Sequence, residues 1–85
     1  MNAHDQRELI MDWIYEEGHD YVTKWDSEFA KYWADRCGIK CGLKADRVMM
    51  VRLRELFTAG RLDRRRIDFE HERQSGIPKW TYLYS

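Results

Sequence analysis

The chain has 85 residues, enough for a single domain over residues 1–85 and too few for a second. Fifteen Lys+Arg balance fifteen Asp+Glu, and 44% of the residues are hydrophobic against 35% charged, which suits a folded chain and excludes disorder over most of the length. No apolar run exceeds the four residues Val48–Val51, so no membrane-spanning helix is expected, and two cysteines are too few for a disulfide framework.

The N-terminus shows no basic-then-apolar leader, so a cytoplasmic, reduced protein is expected. Twelve aromatic residues offset the small core of so short a chain, because each buries a large area. A deep catalytic cleft is hard to build beside such a core, and an enzyme is not expected.

The first helix is predicted over Asp5–Glu17, with Leu9, Ile10, Trp13 and Ile14 on one face, Asn2 or Asp5 capping its start and Gly18 stopping it. A short strand is expected over His19–Val22. Thr23 then caps a second helix running to about Cys37, with Phe29, Ala30, Trp33 and Cys37 on its inner face and Gly38 in the left-handed position after it. After a connection over Gly38–Leu43, a third helix is predicted from Ala45 to Ala59, ended by Gly60, with Met49, Leu53, Leu56 and Phe57 as core positions. The period then changes to two. Leu62–Glu70 and Ile77–Tyr84 read as strands, Gln74, Ser75 and Gly76 as the tip between them. Leu62 and Ile67 differ in parity, so a bulge or a late strand start separates them.

The order is helix, short strand, helix, turn, helix, hairpin. Together with Leu53-x-x-Leu56-x-x-x-Gly60-x-Leu62-x-Arg64 and Gly76-Ile77-Pro78-x-Trp80-x-Tyr82, it resembles the winged helix-turn-helix family, in particular its small phage- or plasmid-type members. The resemblance covers nearly the whole chain and implies an α+β winged helix: three helices and a C-terminal β-hairpin wing. One departure is the connection between helices two and three, which is longer than a tight helix-turn-helix allows.

Zero net charge hides an asymmetry. Residues 1–43 hold five basic residues against nine acidic, net −4, whereas residues 44–66 hold eight against three, net +5. The positive stretch is the third helix and the first strand of the hairpin. The resemblance implies that these parts approach double-stranded DNA, the helix in the major groove and the wing on backbone or minor groove. Charge alone is equally compatible with a solvated helix and hairpin.

With Leu53 as the centre of the buried face, Lys44, Arg47, Val48, Val51, Glu55 and Thr58 fall opposite it and Arg54 on the flank. Arg47 is the candidate for a base edge, because a guanidinium matches the two acceptors of guanine. Lys44 and Arg54 suit phosphates, and Val48 and Val51 suit thymine methyl groups or a covering protein. In the hairpin, Arg64, Arg65 and Arg66 alternate between faces, so Arg64 and Arg66 share one; these two and Arg73 near the tip complete the candidate DNA contacts. Asp68, Glu70 and Glu72 dilute the charge there, and Glu55 is expected outside the DNA footprint.

Cys37 and Cys41 form C-x3-C, and His4, His19 and His71 are scattered, so no metal site is expected; Cys37 reads as a small core residue and Cys41 as a turn thiol. No phosphate-binding glycine loop and no nucleophile or zinc-protease motif occurs, and no cofactor is expected. The reading is a DNA-binding regulator of transcription or of a mobile element. The alternative is a protein–protein interaction module, or a homo-oligomer built on the Val48/Val51 face or the acidic first half, that ignores DNA.

Overall fold

The computed structural model describes residues 1–68 and 80–85; the expected hairpin tip, Arg73 and the inner ends of both strands lie outside the described residues. The chain forms α1 (Ala3–Tyr15), α2 (Ser27–Cys37), α3 (Leu43–Thr58), β1 (Arg64–Asp68) and β2 (Trp80–Tyr84). It is an α+β arrangement in which three helices precede a two-stranded antiparallel sheet.

Each helix begins and ends for local reasons. Asn2 caps α1, its Oδ1 accepting the Asp5 N–H at 2.8 Å. The start of α2 corrects the expectation: Asp26, not Thr23, is the cap, accepting the N–H groups of Glu28 and Phe29 at 3.0 and 3.2 Å. Thr23 is held in the preceding turn, where its carbonyl accepts the Asp26 N–H. Gly38 closes α2 with φ 72° and ψ 26°, the left-handed conformation that favours glycine. Gly42 opens α3 at φ 151° and ψ −161°, outside the range of ordinary side-chain-bearing residues, and supplies no side-chain cap. These two glycines turn the chain between α2 and α3 across residues 38–42.

The buried stripes are Ile10, Trp13 and Ile14 on α1, Phe29, Trp33, Ala34 and Cys37 on α2, and Ala45, Met49, Leu53 and Leu56 on α3. They recur three or four residues apart, as one face of a helix requires. α1 packs on both other helices. The Trp33 indole N–H donates to the Gln6 carbonyl at 3.0 Å, so the polar atom of the largest fully buried side chain is satisfied. Phe57 is only partly buried against this core.

In the sheet, Arg64 lies opposite Tyr84, Arg66 opposite Tyr82 and Asp68 opposite Trp80. β1 starts late, at Arg64; Leu62 belongs to the turn after α3, where its N–H reaches the Leu56 carbonyl, and this resolves the parity mismatch. The short strand expected over His19–Val22 reduces to one bridge. Val22 and Tyr84 exchange backbone hydrogen bonds of 2.8 and 2.9 Å. β2 is thereby held between β1 and the residue that leads toward α2, and Tyr84 is drawn into the core. Among the described residues, no helix is long and apolar enough to cross a membrane.

Candidate nucleic-acid interface

The rotation of α3 decides which side chains it offers to solvent. Its buried residues centre about 45° from Leu53, toward Met49 and Leu56, rather than on Leu53 itself. The outward face is rotated accordingly. Lys44, Arg47, Val51, Arg54 and Thr58 are exposed, as expected. Val48 is not: it is half-buried and packs against the core, which corrects its placement on the outward face. Glu55, two turns beyond Val48, lies on that same flank, where Arg7 of α1 meets it.

That flank is a polar network joining α1 to α3. Arg52 Nε donates to Gln6 Oε1 at 2.8 Å, and Glu55 Oε1 accepts from Arg52 Nη1 at 2.7 Å and Arg7 Nη1 at 3.1 Å. Two cations thus neutralise the carboxylate nearest the outward face. The hydrogen bond from Arg52, reinforced by Arg7, holds the Glu55 carboxyl below its ordinary value of 4.5; Arg61 does the same for Glu8. A lowered carboxyl adds stability that is complete above its unfolded-state value and lost as pH falls through the folded one. Replacing Glu55 by Gln should therefore flatten the fall in denaturation midpoint below about pH 4.5, with only a small change at neutral pH because the pair is solvent-screened. An acid limb as steep as that of the wild type would show that the pairing of Glu55 with Arg52 and Arg7 adds no stability.

Among the described residues, Lys44, Arg47 and Arg54 form no ion pair, in contrast to Arg7, Arg52, Arg61 and Arg66. The exposed face of α3 therefore carries three cations, bordered by the half-buried Asp46 in the first turn and by Glu55, which Arg7 and Arg52 already pair.

The sheet arginines divide as their alternation requires. Arg64 is half-buried, its guanidinium 4.0 Å from the Phe57 ring centre and 4.2 Å from that of Tyr82. Its charge is committed to packing between two rings. Arg66, further along the same face, lies 4.7 Å from the Trp80 ring centre and donates from Nε to Asp68 at 3.1 Å, yet its side chain stays exposed. Arg65 points to the other face and is exposed with no ion pair among the described residues. Among the described residues its guanidinium is free where that of Arg64 is committed to packing, and sequence did not single it out.

Two further residues join this surface from outside the basic half. Lys24 and Trp25 immediately precede the α2 cap, and with Leu43, Asp46, Arg47, Met50 and Val51 they line one shallow depression. Trp25 is 50% exposed, Leu43 68% and Val51 51%. Lys24 Nζ sits 4.6 Å from the Trp25 ring centre. Sequence carried a weak signal for this: Trp25 fits no helical core position, but Lys24 counts with an acidic half whose charge masks it.

The cysteines separate, Cys37 buried and Cys41 exposed. Burial pushes the Cys37 thiol up, away from thiolate chemistry. Among the described residues, no group of three His, Cys, Asp or Glu side chains comes together in a way that would hold a metal ion. Cys41→Ser should leave both the denaturation midpoint and the metal content of purified protein unchanged. Stoichiometric zinc lost on that substitution would turn the 38–42 connection into a metal knuckle.

Comparison with known proteins adds no relative: no family model, no curated protein and no solved structure matches the chain.

Proposed function

We propose that the protein is a small winged-helix DNA-binding protein, a regulator of transcription or of a mobile element, acting by occupancy in the cytoplasm without catalysis. α3 enters a major groove and the β1–β2 pair, as the wing, rests on the adjacent backbone. The observation that supports this best is the unneutralised row Lys44, Arg47 and Arg54 on the face that the other helices leave uncovered, while the neighbouring Glu55 is paired off by Arg7 and Arg52. A solvated helix needs no such sorting of charge; a polyanion-binding face does. Arg65, Arg66 and Lys24 extend the positive field on either side.

A specific observation favours a second reading, a protein interface or homo-oligomer. Leu43, Val51 and Trp25 expose apolar surface on the same face. Titration of duplex DNA at two salt concentrations, run beside a sizing measurement, separates the two. With Lys44, Arg54 and Arg65 as three phosphate contacts, affinity should fall with salt at a logarithmic slope of about −2.7. Indifference to DNA combined with a stable oligomer selects the second reading.

A further inference from the structure

We propose that a recess beside α3 holds an unpaired nucleobase, so that the protein binds a duplex with a single-stranded tail more tightly than a blunt one. This rests on the DNA-binding reading and adds a ligand class to it.

The recess has a volume of about 180 Å³ and lies among Trp25, Met50, Trp80 and Tyr82, with Thr81 and Lys24 beside them. Pockets that enclose a drug-sized ligand run to roughly 300–1,000 Å³, so this one suits a single flat ring system. Its walls are aromatic: Trp80 is 40% exposed and meets Tyr82 edge-on at 4.9 Å between ring centres. Half-exposed indoles lining a recess are the platform on which bases stack without regard to sequence.

The polar groups match a nucleotide in sign and position. Among the described residues, the recess has no carboxylate in its lining. Each indole has a cation against it: Lys24 on Trp25 forms no ion pair among the described residues and is placed to meet a phosphate flanking a stacked base, whereas Arg66 on Trp80 is shared with Asp68. Trp25 and Met50 also line the depression that contains Arg47, so the recess opens directly beside the cationic face of α3. A chain leaving a duplex held on that face has a continuous path to it. Charge is what favours a nucleic acid over a protein side chain here, since an apolar protein anchor would gain nothing from the adjoining cations.

The test measures affinity for three probes: a blunt duplex, the same duplex with a short oligothymidine tail, and the same tail made abasic, with the tail on either strand. In the wild type the thymidine tail on one strand should tighten binding roughly five- to a hundredfold over blunt DNA. The gain should vanish with the abasic tail and in Trp25→Ala, and persist in Trp25→Phe, which keeps a stacking ring. Trp25 is half-exposed, so its variants should keep the wild-type circular dichroism; were Trp25→Ala to unfold, the abasic probe and Trp25→Phe still decide. Equal affinity for tailed and blunt duplexes overturns the inference and leaves the duplex reading standing. A gain that survives the abasic tail, or a folded Trp25→Ala, also overturns it, because phosphates and not the base would carry the effect. Failure to bind any of the probes removes both readings, and a dimer broken by Trp25→Ala would then mark the recess as a protein interface.

Discussion

Replacing Leu53 by Ala should lower stability by about 2–5 kcal/mol. Leu53 is 0% exposed at the middle of α3, on the stripe shared with Ala45, Met49 and Leu56. Truncation removes buried methyl groups and leaves a cavity that three helices can close only in part. A domain of this size has about 5–15 kcal/mol in total, so the loss is a large share of it. The control is Val51→Ala, two residues away on the outward face, which should change stability by no more than about 0.5 kcal/mol. Urea denaturation of both variants measures the contrast. Equal midpoints would mean that the helix is rotated so that Leu53 no longer faces the core.

That contrast also shows how far α3 was legible. Periodicity identified the helix, its length and its buried leucines, because apolar side chains recurring three or four apart leave few other arrangements. It did not give the rotation. Leu53 is one edge of the buried stripe, and choosing it as the centre swung the inferred outward face toward Val48 and Glu55. What fixes the rotation is α1: Gln6 and Arg7 bring polar partners for Arg52 and Glu55 to that flank, a pairing separated by more than forty residues in sequence. No local pattern encodes such a contact.

The same limit explains the start of α2. Thr23 and Asp26 are both good caps, three residues apart, and intrinsic preference does not choose between them. The Val22–Tyr84 bridge does. It holds the chain extended up to Thr23, so the helix begins only after the next turn. Trp25 consequently stands outside α2 rather than in its first turn, and this placement creates both the depression on α3 and the recess against β2. The aromatic residues of β2 were legible as an alternating set; their meeting with Trp25 was not, because it joins two segments nearly sixty residues apart in sequence, brought together by the Val22–Tyr84 bridge and the Thr23–Thr81 contact.

Of the four exposed or half-exposed arginines on α3 and β1 that sequence put forward, Arg47 should matter most to DNA specificity. Arg47→Ala should weaken binding to a preferred sequence by about 1–3 kcal/mol and relax the preference, the cost of a lost bidentate contact to guanine. It lies in the second turn of α3, the end of a recognition helix that reaches the groove floor, and no carboxylate among the described residues competes for its guanidinium. Arg54 is seven residues further on, about 10 Å along the axis. In the proposed complex the helix has left the groove floor at that point, so Arg54→Ala should weaken binding equally on all sequences and lower the salt slope by about one unit. Arg64→Ala should act differently again, reducing stability more than affinity, because its charge is held between Phe57 and Tyr82. Glu55→Gln should leave affinity nearly unchanged, since the carboxylate already faces Arg7 and Arg52 on the α1 side. The measurement is the affinity of each variant for specific and random duplexes at two salt concentrations. If neither Arg47 nor Arg54 matters while Val51→Asp breaks up an oligomer, the outward face of α3 is a surface for protein, and the apolar side chains Leu43 and Val51 are its anchors.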